Sequence, residues 1–236
     1  MGIKGLTKST LIDYPGHTTA TLFVGGCQFK CPFCHNGTLV TKPNSLPDLS
    51  RQELFSFLET RKGLVDSICI TGGEPTLYKD LKRLIYDIKQ MDFLVKLDTN
   101  GYEPYQLDQL LKENLVDYIS MDIKNCLEKY AKTAGCTDFD PTRIKLSVDI
   151  LKDSNIDYEF RTTVVRELHS KENILSIAKW LEGAKAYYLQ PYVESEDVIM
   201  PLFTSYSHEE MLELKKLSET YISNVHLRGM DEFAFK

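Results

Sequence analysis

At 236 residues the chain is long enough to bury one sizeable core and short for two, and 42% apolar with 26% charged residues is an ordinary globular make-up. Lys+Arg at 28 against Asp+Glu at 34 leaves a net charge of −6, with no basic excess to grip a polyphosphate backbone, which argues against a nucleic-acid partner. No apolar stretch approaches the roughly 18 residues of a membrane span, and MGIKGLTKSTLIDYPG lacks the apolar core of a signal peptide, so a cytoplasmic protein with no membrane partner, one domain over 1–236, is expected.

In chain order, Ile12-Asp13-Tyr14-Pro15-Gly16 reads as a turn, and ATLFV (20–24) is a short β-branched strand that stops at Gly25-Gly26. A loop covers 36–50. The helix predicted over 51–63 has Leu54, Phe55 and Leu58 on one face and a closing glycine. DSICITGG (66–73) is a strand, and 77–91 carries Leu81, Leu84, Ile85 and Ile88 at helical spacing. Strands at 93–101 and 116–124 flank a helix at 105–114, and 125–141 reads as a loop. Helices around 141–154, 171–183 and 207–222 then alternate with strands at 157–165 and 186–190, and 225–229 is a last short strand.

Strands alternating with helices of this length imply right-handed βαβ crossovers and a parallel sheet with helices outside. Six or seven units are too few for a complete eight-fold barrel, which takes about 250 residues. A partial, open (β/α)6 barrel fits better. A doubly wound sheet is the alternative, although no GxGxxG follows the first strand.

Active residues in such folds gather at the C-terminal strand ends, and unusual residues stand there. The loop after the first strand holds Cys27, Cys31 and Cys34, a C-x3-C-x2-C spacing that lets three thiolates converge on one soft metal centre. Three readings are open: a [4Fe–4S] cluster whose fourth iron stays free for another ligand, a zinc site, or a CPFC redox pair that leaves Cys27 idle. The remaining Cys69, Cys126 and Cys136 read as buried thiols. Gly72-Gly73-Glu74-Pro75, Asp98-Thr99-Asn100-Gly101 and Asp122-Ile123-Lys124 end the next three strands. Asp98 and Asp122, on adjacent strands and facing one cavity, repel unless something cationic lies between them. Lys124 points the same way as Asp122. Arg161 sits in the otherwise apolar EFRTTVV, so its charge must be paired or face the cavity. His17, His169, His208 and His226 form no ligand-spaced group, and Trp180 reads as helix packing.

The C-x3-C-x-aromatic-C pattern, with Phe33 as the aromatic residue, resembles the signature of the radical S-adenosylmethionine (SAM) superfamily. The extended GCQFKCPFCHN resembles the glycyl-radical-enzyme activating branch within it, and the other motifs follow in the family's order over nearly the whole chain. The IDYPG form and the length look most like the activating proteins of anaerobic ribonucleoside-triphosphate reductases.

The resemblance implies that Cys27, Cys31 and Cys34 carry a [4Fe–4S] cluster, and that SAM chelates the free iron through its amino and carboxylate groups. It places Gly72 and Gly73 against the methionyl part of SAM, with Glu74 accepting from the amino group. Asp98, Thr99 and Asp122 are then expected to hold a monovalent cation near the SAM carboxylate. Phe33, His35 and Asn36 would help to orient the loop or the adenine. Lys124 would neutralise Asp122 or touch the cofactor, Arg161 would bind the SAM carboxylate or a partner's backbone, and Asp13 would contact the substrate polypeptide. The implied reaction begins with one electron from a flavodoxin-type donor, breaks the sulfonium C–S bond, and ends with hydrogen abstraction from a glycine Cα of a partner glycyl radical enzyme. Rival expectations are a pyruvate formate-lyase-like partner, a small-molecule substrate such as a deazaguanine precursor, and, outside enzymes, a zinc-stabilised binding module.

Overall fold

The structure, a computed structural model, describes residues 2–230. Eight strands form one sheet in chain order: β1 (Ile3–Thr10), β2 (Thr19–Val24), β3 (Ser67–Gly72), β4 (Leu94–Thr99), β5 (Tyr118–Asp122), β6 (Asp157–Val164), β7 (Tyr187–Pro191) and β8 (Val225–Leu227). β1 runs antiparallel to β2, and every later neighbour is parallel. Helices α1 (Gly37–Thr41) and α2 (Arg51–Glu59) join β2 to β3, α3 (Leu81–Lys89) joins β3 to β4, and α4 (Pro104–Lys112) joins β4 to β5. α5 (Leu127–Ala134) and α6 (Pro141–Asp153) lead to β6, α7 (Lys171–Trp180) to β7, and α8 (His208–Ser218) to β8. The expected mostly parallel sheet with outer helices is found, and it remains open because β1 and β8 are its two edges. Among the described residues no helix is long and apolar enough to cross a membrane.

Three elements are additional to those expected: β1, ahead of the Ile12–Gly16 turn, α1, inside the expected 36–50 loop, and α5. IKGLTKST carries a mid-strand glycine and two lysines and lacks clean alternation, yet it folds back on β2 with Ile3 opposite Val24 and Leu6 opposite Leu22. Lysines suit it as an edge strand, where they discourage further pairing. α5 lies inside the expected 125–141 loop. It buries Tyr130, Thr133 and Ala134 and ends at Gly135, whose φ of 59° is the left-handed closure that glycine tolerates. Strongly capped helices match expectation better: Ser50 and Glu53 form a reciprocal capping box on α2, as do Ser207 and Glu210 on α8, each cap worth about 1 kcal/mol.

Strand alternation sorts the sheet into two unlike faces. Leu22, Ile70, Leu97, Met121, Phe160 and Leu189 are fully buried and pack in one core with Leu84 and Ile88 of α3 and Ile174 of α7. Their sequence neighbours Thr21, Cys69, Lys96, Ser120, Glu159 and Arg161 lie on the other face. There, side chains from strands two apart touch, Arg161 of β6 meeting Asp98 of β4, so the polar face is the concave one. Cys69 and Cys126 are buried as expected, whereas Cys136 is only partly so.

Candidate active site: three thiols above a charged lumen

The loop from Gly25 to Asn36 leaves β2 at its C-terminal end and is pinned from several sides. Gly26 N–H donates to Leu39 O at 2.8 Å and Lys30 N–H to Ala134 O at 2.8 Å. Phe29 and Phe33 turn inward and are buried, with Phe29 packed edge-on to Tyr130. The three remaining inward groups, Cys27, Cys31 and Cys34, open onto one cavity with Asp122, Lys124 and Arg161. Burial pushes the Cys27 thiol up to about 12 and the Cys31 thiol to about 11, and raises Cys34 as well, while Lys124 pulls all three back. Thiols so desolvated carry charge only when a soft cation compensates it, which is what iron in a cluster does. Cys27 Sγ already accepts from Phe29 N–H at 3.3 Å and from Asn100 Nδ2 at 3.6 Å. Three thiols lining one cavity, with N–H donors aimed at the Cys27 sulfur and the charged Asp122, Lys124 and Arg161 on the same lining, fit a three-cysteine cluster with one free iron.

Gly72 and Gly73 border the cavity, and the reason for both glycines is the adjoining backbone. Gly72 has φ 112°, and a Cβ there would stand 2.6 Å from Val24 N and O; one on Gly73 would stand 2.1 Å from Gly26 O. Their closeness therefore locks the end of β3 to the start of the cysteine loop, with Gly73 N–H donating to Val24 O and Glu74 N–H to Gly26 O, both at 2.8 Å. Glu74 is 0% exposed. One carboxylate oxygen accepts from Thr76 N–H at 3.1 Å and Thr99 Oγ1 at 2.7 Å, the other from Asn100 N–H at 2.7 Å. In this geometry Glu74 ties the end of β3 to the end of β4 and does not face the cavity, where the SAM amino group was expected to meet it.

Between Asp98 and Asp122 lies a guanidinium. Arg161 Nε donates to Asp122 at 2.6 Å and its Nη2 reaches Asp98 at 3.1 Å. Lys96 pairs with Asp98 from the same strand, and Lys124 with Asp122 at 3.0 Å. Burial alone would raise Asp98 and Asp122; Arg161 first, then the lysines, hold both below the usual carboxylate range. The place given from sequence to a monovalent cation is thus taken by Arg161, and three cations against two carboxylates leave one positive charge beside the cavity.

Around this centre the other candidates do structural work. Asn36 Nδ2 donates to Gly72 O at 2.7 Å, joining the cysteine loop to β3. His35 Nε2 donates to Val193 O at 2.5 Å and stacks on Tyr192, fastening the loop to the segment after β7. Asp13 accepts from Thr21 Oγ1 at 2.5 Å, well down β2, and does not border the cavity. Four residues went unassigned in the sequence: Asn100, Gln28, Lys96 and His169. His169 is fully buried, and burial lowers its pKa; its Nε2–H donates to Lys124 O at 2.7 Å and Nδ1 sits 3.1 Å from Val165 N and 3.2 Å from Val165 O, so the ring positions the Lys124 backbone. Asn100 and Gln28 stood in motifs already singled out, whereas Lys96 and His169 did not.

Residues 21–181 match the Radical SAM superfamily. The chain is 33% identical over 237 residues to a Methanocaldococcus jannaschii protein named as a glycyl-radical enzyme activating enzyme, covering 97% of this chain and 96% of the relative. A second protein of that organism with the same designation is 29% identical over 209 residues, covering 87% of this chain and 78% of the relative. Among solved structures, Streptococcus suis SuiB bound to its precursor peptide SuiA superposes with TM-score 0.71 at 16% identity, over 89% of this chain and 48% of SuiB, a likeness of fold. The three-thiol cavity thus has the family its spacing implied: the chain belongs to the radical SAM superfamily, enzymes that use S-adenosylmethionine and a [4Fe–4S] cluster, and falls on its glycyl-radical-enzyme activating branch.

Proposed function

We propose that this enzyme installs a glycyl radical on a partner enzyme, an anaerobic ribonucleoside-triphosphate reductase rather than a formate-lyase, using electrons from a flavodoxin-type donor. The observation that carries the activating role is the near full-length likeness to glycyl-radical enzyme activating proteins, joined to a cavity walled by three thiols. The finer choice of partner rests on the IDYPG form and the chain length.

When bound, the cluster and SAM supply the radical chemistry, a one-electron cleavage of the sulfonium C–S bond that lets a glycine Cα–H of the partner be broken. The chain's own residues prepare the site for it. Cys27, Cys31 and Cys34 hold the iron. The surplus positive charge of Arg161 and Lys124 receives the SAM carboxylate as a charge-assisted pair. Phe33, at 3% exposure, and Phe29 keep water from the inner side of the cysteine loop. Thr99 stays bonded to Glu74 and stiffens the rim, and Asp13, bonded to Thr21 and outside the cavity lining, would meet the partner polypeptide away from the thiols.

The test is anaerobic reconstitution followed by incubation with SAM, reductant and candidate partners. A glycyl-radical EPR doublet on the reductase, with methionine and 5′-deoxyadenosine released in step, is the expected result. The reading falls if neither the reductase nor a formate-lyase-like protein accelerates SAM cleavage while a small molecule does. One zinc and no sulfide per chain would overturn the cofactor chemistry itself.

A further inference from the structure

We infer that Asn100 is a positioning and redox-tuning residue, donating its side-chain N–H to the Cys27 sulfur and thereby raising the reduction potential of the cluster held there. The inference rests on the reading of Cys27 as a cluster ligand. Asn100 is buried, at 5% exposure, at the end of β4 beside the cysteine loop. Its amide orientation is decided by its neighbours. Tyr102 N–H, which can only donate, meets Asn100 Oδ1 at 2.9 Å, so that atom is the carbonyl oxygen and the NH₂ faces Cys27 Sγ at 3.6 Å. Gln28 Nε2 adds a second donor to the same Oδ1 at 3.3 Å. The backbone is fixed too, because Asn100 N–H donates to the buried Glu74 carboxylate at 2.7 Å.

A donor held on a thiolate ligand stabilises the state with more negative charge on sulfur, which in an iron–sulfur cluster is the reduced one. Glu74 acts on the same bond at one remove. Its carboxylate, bonded to Asn100, Thr99 and Thr76, sets where the end of β4 stands relative to the cysteine loop. This gives the oriented amide a task beyond turn formation in Asp98-Thr99-Asn100-Gly101.

The test is an EPR-monitored redox titration of the reconstituted wild type beside Asn100→Asp and Asn100→Leu. Asn100→Asp keeps an acceptor for Tyr102 and Gln28 but offers no donor and adds a negative charge, so it lowers the midpoint potential more than Asn100→Leu. A tenfold fall in the reduced-to-oxidised ratio at fixed potential, ~59 mV for a one-electron couple, is the expected scale. Iron and sulfide content should stay at the wild-type level. Unchanged potentials in both variants, at equal cluster content, overturn the inference. Should neither variant load a cluster, wild-type protein labelled with ¹⁵N in the asparagine side-chain amide decides it. A ¹⁵N coupling on the reduced cluster in pulsed EPR supports the N–H to sulfur bond, and its absence refutes it. A chain with no cluster at all would instead sink the functional reading, and the iron analysis separates the two failures.

Discussion

Two charged clusters share the concave face of the sheet, and they are built to different ends. Near the strand ends, Asp98, Asp122, Lys96, Lys124 and Arg161 carry one more cation than anion, and the Asp122 and Lys124 side chains stay 29% and 17% exposed. Two residues earlier on β6, Glu159 is 0% exposed and saturated: Arg228 Nη1 and Nη2 grip its two oxygens at 2.6 and 2.8 Å, with Tyr118 Oη at 2.9 Å and Ser120 Oγ at 2.8 Å. Tyr14 packs on Tyr118 from below, with ring centroids 5.4 Å apart. The saturated cluster binds β8, an edge strand, to the interior; the unsaturated one has charge to offer an incoming anion. Conserving polar satisfaction at one end and withholding it at the other is how a single lumen supports both folding and binding.

The largest expected break of this contrast is at the thiols. Cys31→Ala should abolish cluster loading and SAM cleavage, read by iron and sulfide analysis. Its unfolding free energy should fall by only about 1 kcal/mol, because the change removes one buried sulfur whose hydrogen bond, to Ala134 O at 3.7 Å, is long and weak. Arg228→Leu strikes the other cluster and strands the Glu159 charge. A loss of about 3–5 kcal/mol in denaturant unfolding is expected, largely recovered in Glu159→Leu/Arg228→Leu. If the single variant were as stable as wild type, the buried pair would not be the latch of β8.

Arg161→Met removes the guanidinium between Asp98 and Asp122. At about 1.5–3 kcal/mol for hydrogen bonds to charged groups, SAM should bind roughly 10- to 100-fold more weakly by titration calorimetry. That variant should also recover affinity when sodium or potassium is added. Acid sharpens the same comparison. Glu159, Asp98 and Asp122 all have folded pKa values below their ordinary range, burial being outweighed by Arg228 for the first and Arg161 for the others. Their stabilisation is therefore complete above the unfolded carboxylate range of about 4 and lost as pH falls toward the depressed values. Apo-protein unfolding should weaken between pH 5 and pH 3, assayed by urea at each of about five pH steps, and Glu159→Gln should flatten that slope. The smallest effect is a null one: exchanging sodium for potassium or choline at equal ionic strength should leave wild-type SAM affinity within about twofold, since Arg161 is covalently present.

Much of the fold is legible in the sequence. Amphipathic stretches such as Leu81, Leu84, Ile85 and Ile88 announced α3 because a helix buries every third or fourth residue, and all four are fully buried. β1 was not legible, since an edge strand with one buried end needs no alternation and its pairing depends on the loop that returns it to β2. α5 was hidden because eight residues are too few for a periodic signal. At the site, the Cys27, Cys31 and Cys34 spacing is local and so was readable, as were acids at strand ends. The partner of each acid was not. Arg161 lies 39 residues from Asp122 and reaches it only because β5 and β6 are adjacent and in register.

Sequence alone determined the alternating βα order, the parallel sheet, the three-thiol loop and, through the resemblance those motifs carry, the radical SAM chemistry, because each depends on residues within one short segment or on a pattern repeated along the chain. Tertiary structure alone decided that Arg161 stands between two carboxylates, that Glu74 turns away from the cavity to hold Thr99 and Asn100, and that Asn100 aims its amide at Cys27. These are contacts between residues 25 to 73 positions apart, and only strand register and the curvature of the sheet set them.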